Sequence, residues 1–433
     1  MNRKILGIGL KKVRKAKGLK ITDLANETIS TATISNIERG VETVQEKYLH
    51  IYANLLGTNL NNLNTIIDKE VEDLKQQLTF VELLINVDKK QIALKKINKI
   101  IKNNPNNLMI DFIYYLKAQC YFHIHDKKKL NQSEKYLLKS IDVSANNKNN
   151  IRAACLKDLS RIVFFRDYNL RRALELADKG LKQFNESGEN KEIKYFLLVG
   201  KASYLEKLNK TDNALQILLE LWNNISKIEN INIKLNMYEI RALCHYKNEE
   251  FDKAIKYALK GIKLAYTNQE YDSLSELLTT WGKINMRIGN FALAEECFHQ
   301  ALELKPQLKR KYLCVSPYTQ LGRMYCKLKK WDDAEKNLKL AIIEGKKADM
   351  HRRNEAHIAF GDLYFLQEKY QEAIEPYEKA LYIAEKHNFE YQQINLLLNL
   401  SDCYQILEDK NKYLEMSRKL HLLLKANKSK EVQ

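Results

Sequence analysis

WGKINMRIGNFALAEECFHQALELKP, residues 281–306, carries the pattern from which the fold can be read. Its small residues Gly282, Ala294 and Ala301 stand twelve and seven positions apart, with an aromatic at Phe298 and a closing proline at Pro306. Small residues at this spacing let the two helices of a hairpin approach closely, and the aromatic fills the gap to the next hairpin. Two copies follow it: LGRMYCKLKKWDDAEKNLKLA with Gly322, Tyr325, Ala334 and Ala341, and FGDLYFLQEKYQEAIEPYEKAL with Gly361, Tyr364, Ala373, Tyr377 and Ala380. A copy upstream, ALCHYKNEEFDKAIKYALKGI, places Ala242, Ala254, Ala258 and Gly261 in the same way.

The small residue of the second helix recurs at Ala173, Ala214, Ala254, Ala294, Ala334 and Ala373, at intervals of 41, 40, 40, 40 and 39. Steps of forty reach back to Ser133 and Ala93 and forward to Tyr413. The pattern resembles the tetratricopeptide repeat, lengthened from its usual period of about 34. It predicts nine helix pairs, six well marked and three degenerate, over 68–433. No unit buries its apolar face alone, so the pairs must stack. The resemblance implies a right-handed superhelix whose concave wall is lined by the first helix of each pair, a surface for extended peptides or partner helices. In the tetratricopeptide register the groove-facing positions are Asn236, Glu239, Tyr246, Lys283, Arg287, Arg323, Asp362, Phe365, Asn395, Asn399 and Gln405. Side-chain amides there would grip a peptide backbone and the charges would read its ends. Each residue alone could equally belong to a solvated concave face.

Residues 1–67 are organised differently. A first helix from Ile5 to Ala16 stops at Gly18, and ITDLANET reads as a short second helix. Ser30 is a natural N-cap for STATISNIERG, which ends at Gly40. A fourth helix is expected near Val44–Leu56, before Gly57, and a short fifth over Asn59–Asp68. Five short helices with a tight turn before the third is the helix-turn-helix plan. The stretch resembles the Xre/Cro-type helix-turn-helix family over about 60 residues, through Leu10-Lys-Lys-Val-Arg14, Lys17-Gly18-Leu19, Leu24-Ala25 and Ile34-Ser35-Asn36-Ile37-Glu38-Arg39-Gly40. The resemblance puts Ile34 and Ile37 in the core and pairs Arg14 with Glu38. It brings Thr31, Ala32, Thr33, Ser35 and Asn36 to base edges in the major groove. Lys11, Lys15, Lys17, Lys20 and Arg39 are the candidate phosphate contacts, each with plain solvation as the alternative. Lys20 and Ile21 stand where the family commonly has Thr-Gln, a departure that leaves Lys20 able to reach a phosphate and the register of that contact open. One such head covers half of a typical operator, so a homodimer, or a higher oligomer, is expected.

Composition agrees with an all-α chain. Hydrophobic residues make up 45% of the 433, and only 4 prolines and 14 glycines interrupt them. Of the net charge of +18, residues 1–67 carry +5, denser than the +13 spread over the rest. A DNA contact needs such density; the basic body reads as a lysine-rich solvated surface. None of the seven cysteines forms a CxxC pair, which points to free thiols in a reducing compartment. Neither a signal peptide nor a membrane span is legible, so a cytoplasmic protein is expected.

An Xre-type head followed by nine forty-residue repeats resembles the RRNPP family of peptide-sensing transcriptional regulators, which includes PlcR and NprR. That resemblance implies a quorum sensor that binds operator DNA and is switched by a short imported signalling peptide in the repeat groove. The alternative is a repeat scaffold that binds and inhibits a response regulator or other protein. No phosphate loop, HExxH or nucleophile elbow is present, so neither enzyme activity nor a cofactor is expected. His123 and His125, two apart, do not aim at one metal on a helix.

Overall fold

The computed structural model describes residues 3–41, 43–103, 108–123, 126–144, 149–346, 350–387 and 389–431. Among these the chain is helical, with no strand. It divides into two compact units, Met1–Tyr121 and Phe122–Gln433.

The first unit begins with α1 (Arg3–Ala16), α2 (Thr31–Arg39) and α3 (Glu46–Leu55). The Ser30 hydroxyl accepts from the Thr33 N–H at 3.1 Å, capping α2 as expected. Gly18, Gly40 and Gly57 take φ of 70°, 74° and 61°, the left-handed geometry that ends a helix. Leu10, Leu24, Ile29, Ile34, Ile37, Leu49, Tyr52 and Leu56 form the core of the head. A Cβ on Gly7 would lie 1.9 Å from the Ile37 carbonyl oxygen, so only glycine lets α1 and α2 meet there.

Two expectations for the head need correction. ITDLANET forms only a 3-10 turn over Ile21–Asp23. The Asn26 side chain then accepts from the Thr28 and Ile29 N–H groups at 2.9 and 3.1 Å, and this local turn displaces the helix. The fifth short helix is instead the start of a continuous α4 (Leu60–Asn86) of 27 residues. No glycine or proline lies within it to stop it. The expected boundary at 67/68 therefore falls inside one helix. Leu74, Leu78 and Val81 of α4 pack with α5 (Lys90–Asn103) and α6 (Ile110–Tyr121) through Ala93, Ile97, Ile113 and Leu116.

The second unit holds α7 (Lys127–Val143), α8 (Ile151–Asp167), α9 (Leu170–Lys182), α10 (Glu192–Lys207), α11 (Thr211–Asn223), α12 (Ile231–Lys247), α13 (Phe251–Thr267) and α14 (Tyr271–Arg287). It continues with α15 (Phe291–Glu303), α16 (Val315–Lys327), α17 (Trp331–Gly345), α18 (Met350–Leu366), α19 (Tyr370–Lys386), α20 (Glu390–Ile406) and α21 (Lys410–Glu431). From α8 onward these are antiparallel hairpins stacked as a tetratricopeptide superhelix, as expected. All eight small residues of the register, from Ala93 and Ser133 to Ala373, are fully buried.

The forty-residue period extends to the turns. Tyr168, Asn209, Glu249, Gly289, Lys329, Glu368 and Glu408 each take positive φ between the helices of a hairpin. From the α10–α11 turn onward most of these turns close with the same long backbone bond, such as Glu250 N–H to His245 O and Lys330 N–H to Tyr325 O, both 2.9 Å.

The superhelix meets itself. The Tyr168 ring, just after α8, stacks on His351 of α18 at 5.0 Å and stands edge-on to Phe389 at 4.5 Å. Arg171 pairs with Glu390 at 3.4 Å, across 219 residues of sequence. The repeats from α8 to α20 thus close into a ring. All seven cysteines are free and buried. Among the described residues no helix is long and apolar enough to cross a membrane, and no cluster of side chains suits a metal. His125 lies outside the described residues.

Candidate functional site

The head offers one exposed helix end. Ser30, Thr31 and Ala32 are exposed, and Thr33, Ser35 and Asn36 are partly so. Beneath them Ile34, Ile37 and Glu38 are buried. The buried side of α2 is fixed by Glu38, which accepts two bonds from the Arg14 guanidinium at 2.6 and 2.9 Å and one from the Tyr52 hydroxyl at 2.6 Å. Arg14 also donates to the Leu19 carbonyl at 2.7 Å, tying the α1 end into the same network. Burial would raise the Glu38 carboxyl, but the bonds from Arg14 and Tyr52 outweigh it and hold the group below its ordinary value. The pairing of Arg14 with Glu38 is as the motif implied. The Arg39 guanidinium donates to the Asn36 amide oxygen, so in the free protein that amide is already engaged. Lys15, Lys17, Lys20 and Arg39 are exposed, whereas Lys11 is half-buried near Glu38.

The second unit encloses a cavity of about 330 Å³ within its ring. First helices line it: Phe164 and Phe165 of α8, Lys207 of α10, Glu239, Leu243 and Tyr246 of α12, and Glu276, Thr279, Thr280 and Lys283 of α14. Ser316, Thr319, Gln320 and Arg323 of α16 and Met350, His351, Arg352 and Glu355 of α18 complete it, with Tyr168, Leu313 and His387. Most charges on this wall are paired. Arg352 and Arg310 each donate to one oxygen of Glu276, at 2.7 and 3.1 Å. Arg323 and Gln392 each donate to one oxygen of Glu355, both at 2.6 Å. Burial raises the Glu355 carboxyl, but the charges of Arg323 and His351 overcome it and bring the group down to about 2.

Four of the expected groove residues, Glu239, Tyr246, Lys283 and Arg323, come together on this wall. The others stand elsewhere. Asn236, Asn395 and Gln405 are exposed outside the cavity. Arg287 is exposed and pairs with Glu249 at 3.1 Å. Asp362 accepts from the Tyr377 hydroxyl at 2.8 Å, and Asn399 contacts the same hydroxyl. Phe365 stands edge-on to Tyr370 at 5.3 Å. The residues that register reasoning missed follow the period itself: Glu239, Thr279 and Thr319 are forty apart, as are Leu243, Lys283 and Arg323. Carrying each candidate forward and back by forty would have found them.

The chain thus joins a capped helix-turn-helix head to a ring of lengthened tetratricopeptide repeats with a polar cavity. Comparison with known proteins agrees. Residues 10–63 match the helix-turn-helix family, and 275–308 and 355–387 match the tetratricopeptide repeat. No curated protein matches the chain. Among solved structures, a Rap protein complexed with Competence and Sporulation Factor is 15% identical, with a TM-score of 0.62 over 82% of this chain and 98% of that one. NprR in complex with its cognate peptide NprX is 15% identical, with a TM-score of 0.59 over 82% and 99%. The apo form of the quorum sensor NprR from B. thuringiensis is 13% identical, with a TM-score of 0.56 over 82% and 99%. The resemblance to the RRNPP regulators thus holds in module content and in fold.

Proposed function

We propose that this protein is a cytoplasmic, non-enzymatic transcriptional regulator that binds operator DNA through α2 as a homodimer and is switched by a short signalling peptide held in the ring. The observation that carries the reading is the joint presence of an exposed, capped recognition helix and a polar cavity built from the first helices of stacked repeats. The neighbours support it, since NprR was solved with its cognate peptide and a Rap protein with a sporulation factor. The DNA-contacting set is Thr31, Ala32, Thr33, Ser35 and Asn36 at bases, with Lys11, Lys15, Lys17, Lys20 and Arg39 at phosphates. We keep 1–67 as the DNA-binding segment and 68–433 as the sensor.

A switch demands unequal binding. A peptide with equal affinity for two states shifts neither, and moving a 1:99 mixture to 99:1 takes about 5.5 kcal/mol of preference. Calorimetry of the full chain against culture-derived peptides tests the sensor. Binding tighter than about 1 mM is expected, and none would end the peptide reading.

The second reading, a scaffold that blocks a response regulator or other protein, draws on the likeness to the Rap fold. Alanine at both Thr33 and Asn36 separates the two. A regulator loses its cellular effect, and a scaffold keeps it.

A further inference from the structure

The charges on the cavity wall do not all cancel locally. Both oxygens of Glu276 are taken by Arg352 and Arg310, and both oxygens of Glu355 by Arg323 and Gln392. Lys207 pairs with Glu206 at 3.5 Å. Once these pairs are set aside, two charged lining residues remain. Among the described residues, Glu239 of α12 and Lys283 of α14 have neither an ion pair nor a hydrogen bond. They do not pair with each other either.

Their separation follows from the repeat. By the forty-residue period, Glu239 is level with Thr279, so Lys283 lies one helical turn further along its helix. A turn of about 5.4 Å, across helices about 9 Å apart, puts the two backbone positions on the order of 10 Å from each other. An extended chain advances about 3.4 Å per residue, so two or three residues would bridge them. A ring wall that leaves one carboxyl and one ammonium without a direct partner carries a desolvation cost that a matching ligand would relieve. Burial and the neighbouring Glu276 push the Glu239 carboxyl upward against the pull of Lys207, Arg352 and Arg310, and burial pushes the Lys283 ammonium downward against the pull of Glu355, as for two groups without a partner in direct contact.

We infer that the cavity selects a dipolar peptide segment, placing a cationic group against Glu239 and a carboxylate two or three residues away against Lys283. This rests on the peptide-sensing reading and specifies what that peptide must carry. The cation is a Lys or Arg side chain or the peptide's own α-ammonium. The anion is an Asp or Glu side chain or the C-terminal carboxylate.

Affinity selection tests it, with the full chain immobilised and a positional-scanning library of synthetic hexapeptides as probe. The retained pool should be enriched in peptides with a cation two or three residues from a carboxylate. N-acetylated and C-amidated versions of the library tell termini from side chains. Glu239→Gln should erase the cation enrichment and leave the carboxylate enrichment, and Lys283→Met should do the reverse. A retained pool without charge preference, or with the same preference in both variants, overturns the dipolar site while leaving the peptide reading intact. A wild-type chain that retains no hexapeptide overturns the peptide reading itself. Without ligand, each variant should melt at a higher temperature than wild type, because it removes a desolvated charge that has no direct partner. Lower melting temperatures for both would show that the charges are satisfied within the fold, and would overturn the inference.

Discussion

Glu38 shows what a single residue contributes to the head. Its side chain is 3% exposed, and it binds Arg14 and Tyr52 from two other helices. Removing one partner of such a buried pair costs about 3–5 kcal/mol, because the other charge is stranded. Glu38→Gln should therefore lower the melting temperature of the head, followed by the loss of helical signal. The folded carboxyl lies below its ordinary 4.5, so its stabilisation is present above that value and is lost as pH falls through the folded value. The gap between wild type and variant should be wide at neutral pH and shrink as the pH falls below 4.5 and through the folded value; a gap that widens in acid would contradict the role given to Glu38. At the proposed DNA face, alanine at Thr33 and Asn36 should weaken specific binding by about 10-fold or more per lost base contact. Fluorescence anisotropy with a selected operator measures this, and peptide affinity should not move.

The Arg14–Glu38 pair was legible because a short motif carries it. The wall of the cavity was legible only in part. Glu239 and Lys283 follow from register, but His351 and Tyr168 face them only because the superhelix closes on itself, and no local pattern encodes that closure.

At the level of elements, small residues decide how closely the two helices of a hairpin approach. A Cβ on Gly282 would stand 2.5 Å from the Phe298 ring, and one on Gly322 2.4 Å from Leu338. Alanine at either should destabilise the chain by about 1–3 kcal/mol through overpacking. Gly200 is the control: its nearest neighbour would be Tyr204 at 3.9 Å, so alanine there should be neutral or stabilising by up to about 1 kcal/mol. Thermal unfolding distinguishes them, and equal effects at all three positions would refute the close-approach account. The second helices were readable because their small residues repeat at forty. The second helix of the head was not, because the Asn26 side chain outcompetes a short segment holding Thr22 and Thr28 for its backbone groups. The length of α4 was missed for the opposite reason, since nothing in its sequence marks either a stop or a continuation.

Across the repeat array, the joint of Tyr168, His351 and Phe389 links parts that are distant in sequence. Phe389→Ala should raise amide hydrogen exchange around residues 164–172 and 387–392 together; a change confined to the second segment would mean that the joint does not hold. Stacked-repeat proteins ordinarily behave as a one-dimensional chain with free ends, which fray and unfold piecewise. Joining α8 to α20 leaves no free end within that stretch. A break anywhere then costs two interfaces instead of one, so the array from α8 to α20 should lose its structure in a single cooperative step in denaturant. Cutting the joint should restore the gradual, end-first melting of an open array.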